Sequence, residues 1–250
     1  MEEIRAAALA IADAETIVAM SGAGMSTESG IPDFRSEGGL WEQYNPRDFH
    51  IDSFDRDPGA FWAQWVELHD DAFDGGDVEP NPGHDAFATL EAEGHLDVVL
   101  TQNVDGLHQA AGNEAVIELH GTHDRVICRH CGRRFDVDPA MTQARNGQRP
   151  PTCDECDGVL KPDSVLFGEP LPEHALLRAH AHAESSDVFI VAGSSLTVEP
   201  AASLPATAAK KGATLIIVNA DPTPHDGRAE YVFRDNLATV LPDIVDELPG

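Results

Sequence analysis

The sequence predicts an α/β fold, a doubly wound parallel sheet of Rossmann-like type, with a second, smaller domain. Two observations predict the sheet: short apolar, β-branched runs recur along the chain, and helical stretches separate them. A third observation predicts the smaller domain. Between residues 124 and 162 lie seven of the 16 basic residues of the chain beside six acidic ones, whereas the rest of the chain is strongly acidic.

Five apolar runs predict strands that are buried on both faces, as in a parallel sheet. They cover residues 16–20, 96–100, 115–119, 187–192 and 214–220. Helices are predicted over residues 2–13, 84–93, 173–183, 199–211 and 236–247. Residues 36–80 contain Pro, Gly and all three Trp residues without a strand pattern, which indicates a mostly helical insertion.

These patterns divide the chain into three parts. Residues 1–35, 81–122 and 164–250 are expected to form the Rossmann-like domain. Residues 36–80 are the predicted helical insertion of the smaller domain, and residues 123–163 are its second part, the module with the balanced charge.

The composition excludes several classes of function. The chain has 44 acidic and 16 basic residues, a net charge of −28, and only three Lys. Such a surface disfavours direct nucleic-acid binding, which needs clustered Lys and Arg, and it indicates a high-salt cytoplasm as in halophiles. No apolar run reaches the roughly 18 residues that a membrane span needs. The acidic, amphipathic residues 1–15 do not fit a signal peptide, so we expect a cytoplasmic protein.

All four cysteines lie in the module with the balanced charge. Cys128 and Cys131 form one C-x-x-C pair, and Cys153 and Cys156 form the other. Two such pairs at this distance fit one tetrahedral zinc ion, and four protein ligands leave no open position, so the predicted metal is structural. Two disulfides or a redox pair are the alternatives, which a reducing cytoplasm disfavours. Gly132 and Gly158 follow the pairs, where a tight turn favours a residue that tolerates positive φ.

Small, polar or ionisable residues follow every predicted strand. One such strand end is usually a turn or a helix cap, but five on one sheet predict a ligand cleft at the carboxyl ends of the strands. Gly22 and Gly24 would let the backbone approach a pyrophosphate, although a third glycine of the dinucleotide motif is missing at Thr27. A second phosphate cradle is predicted at Gly193, Ser194 and Ser195, and Asn219 and Asp221 suit ribose hydroxyls. Together they predict a dinucleotide in a layout unlike that of an ordinary dehydrogenase.

Several longer motifs resemble the sirtuin family, the NAD-dependent protein deacylases. They are GAGMSTESGIPDFRS (22–36), TQNVDGLHQAAG (101–112), ELHGT (118–122), the two C-x-x-C pairs, FGE (167–169) and GSSLTVEPA (193–201). They occur in the order and at the spacing of that family, and the resemblance spans about residues 2–248. The chain is most similar to the compact bacterial and archaeal members.

The resemblance implies a role for each site residue. The NAD phosphates would be lined by Gly22, Ala23 and Thr27, and a flexible cofactor loop would carry Asp33, Phe34 and Arg35. The nicotinamide and its ribose would be surrounded by Gln102, Asn103, Val104 and Asp105. The adenosine half would be held by Ser194, Ser195, Asn219 and Leu237. Phe34 would cover the nicotinamide end, and Arg35 would lie near the phosphates. Val165, Phe167 and Gly168 would pair with the substrate peptide as an added strand.

The resemblance also implies the reaction. The carbonyl oxygen of an acetyl-lysine would attack C1′ of the ribose, with His120 as the general base and Asn103 as a second catalytic residue. The products would be the deacylated lysine, nicotinamide and O-acetyl-ADP-ribose. An imidazole suits the base because its unperturbed pKa is about 6.5. His108 is interpreted as a local packing or helix residue.

The chain departs from the family in two places. Ser164 stands where relatives usually carry an apolar residue. Trp62 and Trp65 align with a Tyr and an Arg of the members that prefer succinyl-lysine, so we expect acetyl or other neutral acyl groups. Three other functions are the alternatives: a protein mono-ADP-ribosyltransferase on the same cleft, a non-enzymatic NAD sensor or zinc-dependent interaction protein, and a hydride-transfer dehydrogenase. The intact ELHG motif disfavours the transferase, and the presence of both Asn103 and His120 disfavours the sensor or interaction protein. The missing third glycine and the cysteine module disfavour the dehydrogenase.

Overall fold

The computed structural model describes residues 1–34, 36, 38–73 and 78–249, and it confirms the predicted α/β class. Six parallel strands form the large sheet in the order β3-β2-β1-β7-β8-β9. They are β1 (Ile17–Ser21), β2 (Val98–Thr101), β3 (Val116–Glu118), β7 (Val188–Ala192), β8 (Thr214–Val218) and β9 (Tyr231–Phe233). The strand order reverses direction between β1 and β7, which is the position where open α/β sheets bind ligands.

The large sheet is covered on both faces, which is why its strands are apolar at consecutive positions. Ile17 and Ala19 of β1 face one core cluster, and Val18 and Met20 face the other. The first cluster packs against α1 (Glu2–Ala12), α5 (Pro82–Ala92) and α10 (Leu237–Asp246). The second packs against α8 (Glu173–Ser185) and α9 (Leu204–Lys211).

The smaller part combines the helical insertion with an antiparallel sheet of order β5-β4-β6. Its strands are β4 (Gly121–Cys128), β5 (Arg134–Asp136) and β6 (Leu160–Ser164), and its helices are α2 (Leu40–Gln43), α3 (Ile51–Arg56), α4 (Pro58–Phe73) and α7 (Val137–Arg145). The two segments share one apolar core. Trp62 of α4 is fully buried there, and its Nε1–H donates to the carbonyl of Leu160 at 2.8 Å.

Several predicted elements differ from those in the structure. The helix predicted over 199–211 begins only at Leu204, after a 3₁₀ turn at Ala201–Ser203, because Pro205 has no N–H to donate to Ala201. The strands β4, β5, β6 and β9 and the short helix α6 (Leu107–Ala111) were not predicted. Among the described helices, none has the length and apolar character that crossing a membrane requires.

Candidate active site

A single cleft of about 500 Å³ lies at the carboxyl ends of the large sheet. Residues that follow β1, β2, β3, β7 and β8 all line it, as the strand ends predict. Of the site residues predicted from the sequence, it brings together Gly22, Ala23, Gly24, Asp33, Phe34, Gln102, Asn103, Val104, Asp105, His120, Val165, Phe167, Gly168, Gly193, Ser194, Ser195, Asn219 and Asp221. The parallel sheet therefore collects side chains that are far apart in the sequence.

The two glycine-containing loops at the floor of the cleft interlock. The N–H of Gly24 donates to the carbonyl of Gly193 at 2.9 Å. A Cβ on Gly22 would lie 2.9 Å from that same oxygen. Gly193 itself has φ 62°, and a Cβ there would lie 2.2 Å from the backbone nitrogen of Met25. The glycines are thus required for close contact between the two loops, a reason that differs from the predicted approach to a pyrophosphate.

The side chain of Gln102 links the ends of β2 and β7, the two strands that flank β1. Its Nε2 donates to Ser194 Oγ at 2.8 Å, so the loop after β2 is fixed to the loop after β7. The next residue, Asn103, is 9% exposed. Its backbone N–H donates to Thr101 Oγ1 at 3.0 Å, and its Nδ2 donates to Ser26 Oγ at 3.0 Å. Asn103 is therefore held at its backbone and at its amide.

Asp105 completes this hydrogen-bonded group. It accepts from Ser26 Oγ at 2.7 Å and from the N–H of Leu107 at 3.0 Å. Burial raises the pKa of Asp105, and these hydrogen bonds oppose the rise because they favour the carboxylate. Ser26 joins Asn103 to Asp105, yet it was absent from the predicted set although it lies within the motif of residues 22–36.

His120 lies just after β3, and the hydrogen-bond partner of its Nδ1 indicates which ring nitrogen carries the proton. Nδ1 is 2.9 Å from the carbonyl oxygen of Gln102. A carbonyl only accepts, so Nδ1 carries the proton and Nε2 is the basic nitrogen. Burial lowers the pKa of His120 below its usual 6.5, and the Gln102 carbonyl opposes part of that shift. The imidazole is therefore neutral, and able to accept a proton, at physiological pH.

Aromatic rings form one wall of the cleft. Phe34 stacks on Trp41 with ring centroids 5.1 Å apart, and Trp41 lies 5.7 Å from Phe167. Arg35, predicted beside the phosphates, lies outside the described residues. Farther along the wall, Trp65 packs edge-on against His123 with centroids 5.4 Å apart.

The adenosine end that the sequence predicts lies after β8. Asn219 Nδ2 donates to the carbonyl of Asp221 at 2.8 Å, which closes a tight turn. Arg234 donates to the carbonyls of Asn219 and Asp221, at 2.7 and 3.0 Å, and these two hydrogen bonds hold the turn in place. Sequence reasoning did not single out Arg234, because its contacts depend on the placement of the chain after β9.

Two predicted cofactor residues do not line the cleft. Leu237 is 8% exposed and packs in the first core cluster against α5, near Gly83. Thr27 is absent from the lining, and its hydroxyl donates to the carbonyl of Gly24 at 3.1 Å. In this conformation Leu237 contributes to the core and Thr27 supports the loop after β1.

The segment predicted to bind the peptide is anchored at both sides. The N–H of Val165 donates to the carbonyl of His120 at 2.8 Å. Phe167 donates its N–H to Phe49 at 3.1 Å, and its carbonyl accepts from Ile51 at 2.9 Å. Phe167 therefore has no N–H left for an added strand in this conformation, whereas its ring is 41% exposed.

A buried lysine stabilises the loop that carries the residues predicted to bind the peptide. Lys161 is 5% exposed, and its Nζ donates to the carbonyls of Pro162 and Ser164 at 2.9 and 2.7 Å and to Glu169 at 3.0 Å. The same Glu169 oxygen accepts from the N–H of Leu166 at 2.9 Å. One ammonium group thus closes the loop that carries the predicted peptide site.

The four cysteines form a separate candidate metal centre. Their sulfur atoms all lie within 4.8 Å of one another, with 3.5 Å between Cys128 and Cys156 and 3.9 Å between Cys131 and Cys153. A tetrahedron with metal–sulfur bonds of about 2.3 Å has edges of about 3.8 Å, so the four thiols fit zinc. No predicted cleft residue belongs to this centre.

The glycines beside the cysteines serve two different purposes. Gly132 has φ 71°, as predicted for a tight turn. After the second pair the positive φ falls on Asp157 instead, at 57°. Gly158 is required for space, because a Cβ there would lie 2.8 Å from Cys128 Sγ.

The arginines around the candidate metal centre are engaged with carboxylates. Arg133 pairs with Glu155 at 2.7 Å, and Arg134 pairs with Asp163 at 2.8 Å. Both arginine side chains are more than half exposed, which favours the interpretation as solvated surface over compensation of thiolate charge.

The chain and its fold are similar to known proteins along their whole length. Residues 22–200 match the model of the Sir2 family. A protein named NAD-dependent protein deacetylase from Haloarcula marismortui is 51% identical over 99% of this chain and 95% of that protein. NAD-dependent protein deacetylase 1 from Pyrobaculum aerophilum is 45% identical over 100% and 96%.

A solved structure with similar architecture contains reaction products. It is a histidine-to-alanine variant of Sir2 with a deacetylated p53 peptide and 3′-O-acetyl-ADP-ribose. It aligns with a TM-score of 0.90 at 34% identity and covers 98% of each chain. The structural similarity therefore extends over nearly the whole chain.

Proposed function

The chain belongs to the Sir2 family, the sirtuins, and from that premise we propose that it is an NAD-dependent protein lysine deacetylase. One observation carries the proposal. Asn103 and His120, with Nε2 as the basic nitrogen, lie in the same cleft as the loops after β1, β7 and β8. The names of the relatives from Haloarcula marismortui and Pyrobaculum aerophilum support the same activity.

NAD is the co-substrate in this proposal, and it lies along the carboxyl ends of the strands. The loops with Gly22, Ala23, Gly24 and Gly193 would hold the phosphates. Ser194, Ser195, Asn219 and Asp221 would bind the adenosine half, and Asp33 and Phe34 would cover the nicotinamide end. Gln102, Asn103, Val104 and Asp105 would surround the nicotinamide and its ribose.

The reaction follows from what these groups can do. The acetyl-lysine carbonyl oxygen forms a bond to ribose C1′ as the bond to nicotinamide breaks. His120 Nε2 then takes a proton from a ribose hydroxyl, which attacks the acetyl carbon. The bond between the acetyl carbon and the lysine nitrogen then breaks, and the leaving amine takes the proton that His120 accepted. A water molecule adds to the acetyl carbon, which is now bonded to two ribose oxygens, and its bond to the C1′ oxygen breaks to give O-acetyl-ADP-ribose. Until the acetyl oxygen has bonded to C1′, the aromatic wall of Phe34 and Trp41 would keep out water, which otherwise hydrolyses the reactive sugar.

The substrate peptide is proposed to bind as an added strand beside Val165 and Gly168. Its acyl group would enter the cleft toward Trp65. Among the described residues that line the cleft there is no Lys or Arg, so an acidic acyl group has no partner there. This supports acetyl and other neutral acyl groups as substrates.

Further properties of the protein are proposals of the same kind. Cys128, Cys131, Cys153 and Cys156 would hold one structural zinc ion, which needs reduced thiols and so supports a cytoplasmic location. The net charge of −28 supports function at high salt and opposes direct nucleic-acid binding. We assign residues 1–35, 81–122 and 164–250 to the Rossmann-like domain, and 36–80 and 123–163 to the small domain.

The test is a product analysis in molar KCl. The protein is incubated with NAD and an acetyl-lysine peptide, and the products are identified by mass spectrometry beside those of His120→Ala. Deacetylated peptide with equal amounts of O-acetyl-ADP-ribose, both lost in the variant, is the expected result. ADP-ribosylated protein without deacetylation would instead show a mono-ADP-ribosyltransferase and overturn the proposal.

A further inference from the structure

A chain of buried hydrogen bonds lies behind Asn103, outside the cleft. Thr101 Oγ1 accepts from the Asn103 N–H at 3.0 Å and from Ser21 Oγ at 2.9 Å. Ser21 Oγ is in turn 2.8 Å from His108 Nε2. The exposed fractions of Ser21, Thr101 and His108 are 0%, 3% and 1%. None of the three lines the cleft, so they cannot touch a substrate there.

The donors in this chain can be assigned from the geometry. The hydroxyl of Ser21 donates to Thr101, so the Ser21 oxygen must accept from its other neighbour. His108 is therefore protonated on Nε2, and its ring also interacts with the side chain of Asn113. Burial lowers the pKa of His108 to about 3, with a further lowering by His84, so the ring stays neutral.

The ring of His108 is fixed by its neighbours. It lies 4.9 Å from the ring of His84 and stacks on Phe87 at 5.9 Å. His84 Nδ1 accepts from the N–H of Asn81, and Asn81 Nδ2 donates to the carbonyl of Met25 at 2.8 Å. The buried chain therefore rests on the start of α5, which also supports the loop after β1.

We propose that His108, Ser21 and Thr101 are positioning residues that orient Asn103 for the reaction. The Asn103 N–H is buried next to the end of β2, and Thr101 Oγ1 supplies its acceptor. Ser21 and His108 fix the rotamer of Thr101 by occupying the other side of its hydroxyl. With the backbone held in this way, the Asn103 amide reaches Ser26. The inference rests on the proposed function, because it assigns these residues to a catalytic Asn103.

The test replaces the acceptor without changing its size. Thr101→Val removes Oγ1 and keeps the branched shape, and Thr207→Val is the matched control, since the Thr207 hydroxyl donates to the carbonyl of Ser203, the residue before α9. We expect kcat of the deacetylation to fall about tenfold or more in Thr101→Val, the loss that one misplaced group produces. The KM for the peptide should stay within about twofold, and Thr207→Val should match the wild type.

A double-mutant cycle separates positioning from general stability. If Thr101 acts through Asn103, Thr101→Val should cost nothing further in an Asn103→Ala background. Ser21→Ala should show the same pattern with a smaller loss. The inference would be overturned if the two reductions of kcat multiply in the double variant. It would also be overturned if Thr101→Val has the kcat of the wild type.

A measurement without catalysis keeps the inference separate from the proposed function. Hydrogen exchange of the ¹⁵N-labelled Asn103 amide should be slow in the wild type and faster in Thr101→Val, while amides of β7 stay unchanged. Equal exchange in both proteins would contradict the hydrogen-bonded arrangement even if the protein deacetylates peptides. Slow exchange in a wild-type protein that lacks deacetylase activity, with faster exchange in Thr101→Val, would overturn only the proposed function.

Discussion

Among single residues, the proposed chemistry depends most on His120, which is held by a neutral hydrogen-bond partner. His120 Nδ1 donates to the Gln102 carbonyl and not to a carboxylate. No anion therefore stabilises the protonated ring at that nitrogen, and burial lowers the pKa of His120. Such a base is weak but unprotonated, so it accepts a ribose proton without first losing its own.

This arrangement predicts a pH dependence. Activity needs neutral His120, and a lowered pKa means that protonation occurs at lower pH than for an ordinary histidine. We expect the acidic limb of kcat/KM to lie below about pH 6.5 in molar KCl. Asp105→Asn should retain this limb if it belongs to His120. A limb at or above the ordinary histidine value would contradict the assignment.

At the scale of elements, the loops after β1 and β7 depend on Gly193. An alanine there adds a Cβ at 2.2 Å from the Met25 nitrogen, at φ 62°. We expect Gly193→Ala to lower the free energy of unfolding by at least about 3 kcal/mol and to abolish NAD binding.

Gly212→Ala is the matched control for this prediction. Gly212 has φ 105°, and a Cβ there would meet nothing within 4 Å. Denaturant melts should show that the free energy of unfolding falls by only about 1–2 kcal/mol, and NAD binding should be retained. Equal losses in the two variants would show that the close contact of the loops is unimportant.

The elements that could be predicted from the sequence are those whose pattern is local. Strands buried on both faces appear as apolar runs, so five of the six strands in the large sheet were predicted within about two residues. The remaining strand, β9, has only three residues. β6 reads LKPDS, with a lysine and a proline that favour a loop. Its Lys161 is buried only because Glu169 and two carbonyls meet it in the folded chain.

The residues of the cleft likewise divide into those that a local sequence pattern predicts and those that depend on how the chain folds. Residues directly after the strands could be predicted, because parallel strands end at one edge of the sheet. Ser26, Val198 and Glu199 also line the cleft and were not singled out. Their positions depend on how the loops fold back, and no local pattern reports that. The placement of Leu237 in the core likewise depends on α10 packing against α5.

For the whole molecule, we expect the large negative charge to make stability depend on salt. The net charge is −28, and most of the acidic residues have no basic residue to pair with. Their repulsion acts over about 30 Å at 0.01 M salt and about 3 Å at 1 M. We therefore expect the thermal midpoint to fall steeply as KCl is lowered from molar to millimolar concentration.

Two controls test the cause of this salt dependence. Sucrose at low salt stabilises by exclusion without screening charge, so it should restore only part of the midpoint. A chelator that removes zinc should lower the midpoint at every salt concentration, because two of the four cysteines, Cys128 and Cys153, are buried in the apolar core of the small domain. A midpoint independent of KCl would contradict the electrostatic explanation.

The central claim, that this cleft transfers the acetyl group to ribose, is tested most directly by isotope transfer. A peptide whose acetyl-lysine carbonyl carries ¹⁸O is incubated with NAD, and the quenched products are analysed by tandem mass spectrometry. The account predicts ¹⁸O on the ribose C1′ of O-acetyl-ADP-ribose, with no such product in His120→Ala. Label found only in free acetate, with unlabelled ADP-ribose, would show that water cleaves both substrates and would contradict the account.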